Sequence, residues 1–265
     1  MISKENTNVA NQQAAGIGKP IPMPSTARNT GEQHSSWERP ALAGGIIAAA
    51  LQIAATALFI AFIVPTLPPI DAPAAQFAAF AVEQSQNAIY GLISYLIEAQ
   101  MLFLVLFFGG LFGVLRRAEG GSGSLATVVF GAGIAMVVIT PLAAMIENHL
   151  LFGLATGGAD PVAVQAVDGL VPLSLALSGF PRAVVLGGIA TLLLSHRFAP
   201  RWVGWLGFIL GVFSLIGTGT LMIADLFPLT VLGSLLFAIW ILVLSVALLR
   251  SSRTVSHPAP QSALA

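Results

Sequence analysis

The sequence predicts an all-α bundle of six transmembrane helices, with both termini on the cytoplasmic side and short helices on the outer surface. Three observations predict it. The chain of 265 residues is 56% hydrophobic and only 8% charged, against roughly 25% charge in a typical soluble domain. Six apolar runs, 41–64, 88–115, 125–146, 170–195, 202–224 and 228–249, are each long enough for the about 20 helical residues that cross ~30 Å of hydrocarbon. Ten of the eleven Lys and Arg residues lie before the first run, in the second and fourth gaps, or after the last run. The other three gaps hold Asp71, Glu83, Glu147, Asp160, Asp168 and Asp225 and no Lys or Arg. Basic segments on one side and none on the other is the positive-inside pattern.

Residues 1–39 are rich in Asn, Gln, Ser, Thr, Gly and Pro. With no apolar periodicity to offset ordering entropy, they read as a disordered cytoplasmic tail that includes Lys4, Lys19, Arg28 and His34. The first apolar stretch begins too late and runs too long for a cleavable signal peptide. Trp37 and Pro40 suit the headgroup layer and a first helical turn, respectively. The six spans make one transmembrane domain over 40–250, followed by a second short tail over 251–265 that contains Arg253 and His257.

Between the first two spans, Asp71 and Pro73 form a helix-start signal, and a short helix is expected over 74–83. The gap after Arg116 and Arg117 contains Gly120, Gly121 and Gly123 and reads as a turn. After the third span, Asp160-Pro161 starts another short helix that stops at Gly169. Arg197 and Arg201 bracket the next gap, and residues 225–227 make a tight turn. Gly109 with Gly113, and Gly207 with Gly211, have the spacing that lets helices approach closely in lipid, although glycine is common in transmembrane helices regardless. Trp202 and Trp205 beside Arg201 belong to an aromatic belt, and Trp240, in mid-span, is expected to pack.

Two ionisable residues fall inside predicted spans, Glu98 and Arg182. A charge at a helix centre costs roughly 2.5–3.5 kcal/mol on the insertion scale, so neither is expected to face lipid. Counted from the outer helix starts, each lies on the order of 15–18 Å down. Tyr90, Ser94 and Glu98 follow one another at helical spacing, as do Ser174, Ser178 and Arg182. Pro181 lacks the N–H that the carbonyl of Leu177 would accept. These residues predict two facing polar stripes joined by a Glu98–Arg182 ion pair. Such a pair either fixes helix register or marks a polar region that binds or moves a small polar solute or a proton.

Glu147 and His149, with Asp160 or Asp168, combine carboxylate and imidazole donors suited to zinc or iron. Their i, i+2 spacing splits them between helix faces, so interfacial polar residues are the expectation and no metal site is assigned. No Gly-x-Ser-x-Gly, His-Glu-x-x-His or P-loop occurs. The absence of cysteine excludes thiolate chemistry, disulfides and Cys-ligated metals. An enzyme is therefore disfavoured, and no cofactor is expected. Without a basic, aromatic-interleaved patch, nucleic acid is not an expected partner; the bilayer is, together with a small polar solute. The competing reading is a non-catalytic scaffold or sensor component.

Residues 199–207, Ala-Pro-Arg-Trp-Val-Gly-Trp-Leu-Gly, resemble a recurrent stretch in a domain-of-unknown-function group of uncharacterised bacterial multi-pass integral membrane proteins. There a Pro-Arg-Trp-x-Gly turn opens the penultimate helix. The likeness extends over about residues 179–250 and implies a bacterial inner-membrane location, with no activity attached.

Overall fold

The computed structural model describes residues 37–69, 72–196 and 198–254. The tail residues 1–36 and 255–265, with Asp71 and Arg197, lie outside the described residues. Among those described there is no strand, and six helices are long and apolar enough to cross a membrane. This is the all-α, multi-pass architecture that hydropathy predicts.

The first span is α1 (Glu38–Leu58), which continues through a π-helical turn, Phe59–Ile63, and a 3₁₀ turn, Val64–Thr66. A short helix, α2 (Ala74–Ser85), follows. The second span is α3 (Ala88–Glu119) and the third is α4 (Ser124–Met145), prolonged by a π-helical turn, Ile146–Leu151, and by α5 (Phe152–Thr156). The fourth is broken into α6 (Pro161–Asp168), α7 (Leu170–Leu177) and α8 (Gly179–His196). Span five is α9 (Arg201–Gly217), and span six is α10 (Phe227–Thr254). Thus α1 starts at Glu38 and α10 runs to Thr254, so both helices reach a few residues into the segments read as tails.

The breaks in the fourth span have a sequence cause. Pro172 cannot bond back to the carbonyl of Asp168, nor Pro181 to that of Leu177. The helix is interrupted at Gly169 and at Ser178, one residue after each stranded carbonyl. At the α3–α4 turn, Gly120, Gly121 and Gly123 have φ of 63°, 57° and 65°, a region that L side chains avoid. Glu119 then accepts from the backbone N–H of Leu125 (3.0 Å) and Ala126 (2.9 Å), satisfying the first amides of α4.

Each span packs against the next, α1 on α3, α3 on α4, α4 on α8, α8 on α9 and α9 on α10, and α10 returns to α1. The result is a closed ring. Apolar side chains cover its outside: Leu102, Val138 and Ile209 are all 60% exposed or more, an arrangement suited to lipid. Trp202 and Trp205 are exposed beside Arg201. The end bearing Arg116, Arg117, Arg201 and Arg250 is called the arginine end below, and the opposite one the acidic end.

At the arginine end the ring is filled. Phe107, Leu111, Leu115, Leu186, Ile189, Leu193, Trp240 and Leu244 form its core. Close approach here depends on glycine. A Cβ on Gly45 would collide with the Ser245 hydroxyl and lie 2.5 Å from the Phe107 ring; one on Gly207 would lie 2.9 Å from Trp240. Gly109 abuts Trp37, Gly113 abuts Glu38, and Gly211 packs on Leu186, so both small-residue pairs make helix contacts. Trp240 packs as expected and donates its indole N–H to the carbonyl of Val203 (2.9 Å). Glu38 and Arg117 join α1 to α3 in a bidentate pair (2.5 and 2.6 Å).

Gly45→Ala should destabilise the detergent-solubilised protein by about 1–3 kcal/mol through overpacking. Gly131→Ala, whose added methyl meets nothing within 4 Å, should fall within about 0.5 kcal/mol of the parent. Thermal unfolding of the two variants checks the difference; equal midpoints would contradict the packing.

Candidate functional site

Towards the acidic end the ring is hollow. A cavity of about 710 Å³ lies between the spans, within the range of small-molecule sites. Its wall on α3 runs from Tyr90 to Leu104, a rise of ~21 Å. Most of the wall is apolar, and the polar groups converge from every span. Gln52 and Thr56 come from α1, Tyr90, Ser94 and Gln100 from α3, and Thr140 and Glu147 from the third span. The fourth span gives Asp168 and Arg182, and Thr220, Thr230 and Ser234 close the circuit.

Arg182 and Gln100 form the deep end. Arg182 is 6% exposed and Gln100 5%. The Arg182 guanidinium donates from Nη2 to the Ser178 hydroxyl (3.1 Å) and sits 5.7 Å from the centre of the Phe237 ring. Ser178 is positioned by the proline-induced break, where its hydroxyl donates to the carbonyl of Leu175 (2.6 Å). Arg182 Nε and Gln100 Oε1 have no partner. Among the described residues no carboxylate lies within ion-pair distance of Arg182. A buried guanidinium on a cavity wall, with an N–H that no protein group accepts, has the chemistry suited to an anion.

Nearer the mouth, the Tyr90 hydroxyl donates to Glu147 Oε1, and the Tyr90 ring meets Phe152 edge-on at 5.2 Å. Ser94 accepts from Asn148 Nδ2 (3.3 Å). Glu147 lies in the π-helical turn Ile146–Leu151. Wider turns of this kind shift the phase of the side chains that follow and recur at functional sites. On the wall opposite, Thr220 and Thr230 both donate to the carbonyl of Gly217 (2.8 and 2.9 Å), satisfying the end of α9.

The structure corrects the expected Glu98–Arg182 pair. Glu98 is exposed on the outer surface of α3, while Arg182 is buried. Two physical reasons account for it. Steps of four residues advance about 40° around a helix of 3.6 residues per turn. Tyr90 and Ser94 therefore share the inner face, and Glu98 has rotated off it. The inward face follows Tyr90, Ile93, Ile97, Gln100, Met101 and Leu104 instead. Depth measured from the outer helix start also places Glu98 too far inside. A helix of 32 residues spans ~48 Å, more than the ~30 Å hydrocarbon layer. Measured from Arg116, Glu98 stands ~27 Å away, at the opposite boundary, where an outward carboxylate meets headgroups and water. Register fixing by a Glu/Arg pair falls with the pair itself. Ser174 is likewise absent from the cavity wall. Tyr90, Ser94 and Arg182 line the cavity, and Ser178 supports Arg182.

Gln100, Glu147 and Asp168 are the lining groups that sequence reasoning missed as cavity residues. Gln100 follows Tyr90 by ten residues and Ile93 by seven, a heptad-like step that identifies the inward face. No comparable signal marks the π turn that carries Glu147. His149 is exposed and Asp160 caps α6 through the Val162 amide (2.9 Å). Among the described residues no three His, Cys, Asp or Glu side chains are grouped to hold a metal.

Comparison with protein-family models, with curated proteins and with solved structures finds no match to this chain.

Arg182→Met should raise the thermal midpoint of the ligand-free protein, because it replaces a buried, unpaired charge by an apolar chain of similar length, a change worth about 1–4 kcal/mol where buried charges are incompletely satisfied. A lower midpoint would mean that the guanidinium holds the bundle together. Glu98→Gln should leave the midpoint within about 0.5 kcal/mol of the parent.

Proposed function

We propose that this protein resides in the bacterial inner membrane with both termini in the cytoplasm, and that it binds or moves a small polar solute through the cavity centred on Arg182 and Gln100. The observation that carries this reading is the pair of unpartnered buried atoms, Arg182 Nε and Gln100 Oε1, on the wall of one large cavity. An unmet polar atom in a low-dielectric interior costs about 1–3 kcal/mol. Ser245 Oγ is also unpartnered, but in the filled half; among the described residues Arg182 and Gln100 are the two such residues on the cavity wall, where a ligand can offset the cost. The Arg182 N–H favours an anionic or acceptor group and the Gln100 carbonyl oxygen a donor, so a small solute carrying both, with an apolar body to match the remaining wall, fits. The charge asymmetry of the gaps supports the orientation, which places the acidic end outside the cell.

The absence of cysteine makes the reading testable by labelling. Ser94→Cys, on the cavity wall, should react in intact cells with a membrane-impermeant thiol reagent. Ser245→Cys, fully buried in the filled half, should not. A Ser94→Cys protein as unreactive as the Ser245→Cys protein would refute a solvent-reached cavity. Loss of the deletion strain's complementation by Arg182→Gln, at normal protein level, is the expected functional readout.

A further inference from the structure

The cavity has a second boundary besides its acidic mouth. Between the end of α1 and the start of α10 lies a groove of about 340 Å³ with no charged residue on its wall. Five side chains, Thr56, Phe59, Leu67, Phe227 and Val231, line both the groove and the cavity. They form a thin, almost wholly apolar partition. On the groove's far side, Ile60, Val64 and Leu232 are 52%, 44% and 43% exposed, on the surface that carries the apolar belt. The groove therefore faces the bilayer, and one layer of side chains separates the bilayer from the cavity.

Depth decides what could use this route. Gln100 stands sixteen residues before Arg116, and Arg182 fourteen before His196, hence ~24 and ~21 Å from the arginine end. In a hydrocarbon layer of ~30 Å these groups belong to the leaflet at the acidic end, close beneath its headgroups. The groove begins at Leu235, fifteen residues before Arg250, ~22 Å from the same end. Groove and polar floor thus share one level.

We infer that the cavity takes an anionic, single-headed amphiphile sideways from the bilayer, with its oxyanion at Arg182 and its chain in the groove between α1 and α10. This rests on the reading that the cavity binds a ligand, and it specifies the ligand's class and path. The guanidinium supplies the charge-assisted hydrogen bonds. Phe59, Phe227 and Val231 part to admit the head and then pack along the chain.

The test uses the full-length protein in an uncharged detergent, with decyl phosphate, inorganic phosphate and an uncharged decyl glycoside as probes. Two readouts are followed, the thermal midpoint and protection of Ser94→Cys from the thiol reagent. Decyl phosphate in excess should raise the midpoint by ~5 °C and protect the cysteine. Inorganic phosphate and the glycoside should do neither. Arg182→Gln should weaken the decyl phosphate response at least about tenfold. Leu232→Trp, which fills the groove from its exposed rim, should abolish the response while keeping the parent midpoint; should it lower that midpoint, Ile60→Trp on the opposite rim replaces it. Equal responses to inorganic and decyl phosphate, or an undiminished response after the groove is filled, would overturn lateral entry and leave the solute-binding reading in place. No response to any probe, with Ser94→Cys still labelled, would overturn the anionic amphiphile alone. An unlabelled Ser94→Cys would overturn both.

Discussion

A backbone that crosses hydrocarbon must satisfy its own hydrogen bonds, because no water is present to do so. This constraint organises the molecule. At the arginine end the helices are regular, and glycine lets them touch, so the interior closes around Phe107, Leu186 and Trp240. Towards the acidic end the ladder is repeatedly disturbed. Pro172 and Pro181 break the fourth span, and π-helical turns end the first span and interrupt the third. Near these irregularities hydroxyls donate to backbone carbonyls: Ser178 to Leu175, Thr140 to Met136, Thr220 and Thr230 to Gly217. Those hydroxyls then bring polarity into the interior. The cavity is in this sense a product of irregular backbone, the setting in which membrane proteins place sites at depth.

The two halves of the ring carry different tasks. The filled half supplies tight packing, the bidentate Glu38–Arg117 pair and the Trp240 hydrogen bond. The hollow half forgoes dispersion contacts around 710 Å³ and keeps a guanidinium with one free donor. Tight packing in the first half offsets the contacts forgone around the cavity in the second.

The six spans were legible because they are written redundantly. Hydropathy sums over twenty or so residues per span, so single errors do not matter. The short helices at 74–85 and 161–168 were legible too, since Pro73 and Pro161 mark helix starts through a local steric rule, whereas the break at Pro172 lay unread inside an apolar run. The site was only partly legible. Arg182 was recognised by its cost in hydrocarbon and Tyr90 and Ser94 by their face. Glu98 misled because i, i+4 stripes drift around the helix and because α3 is longer than the membrane is thick. Glu147 was hidden by a turn of non-α pitch, which no residue preference announces.

The ring has five neighbour contacts that are tethered by chain connections and one that is not. Spans one and six, the first and last to be made, meet without any loop across their boundary. Below, they are held where Gly45 presses on Ser245; above, they diverge into the groove. The bundle is thus a closed bracelet with one clasp that no chain connection crosses, and that clasp could loosen without stretching a single covalent link. Circular permutation that joined residue 254 to residue 38 and cut the chain elsewhere would move that freedom to another wall.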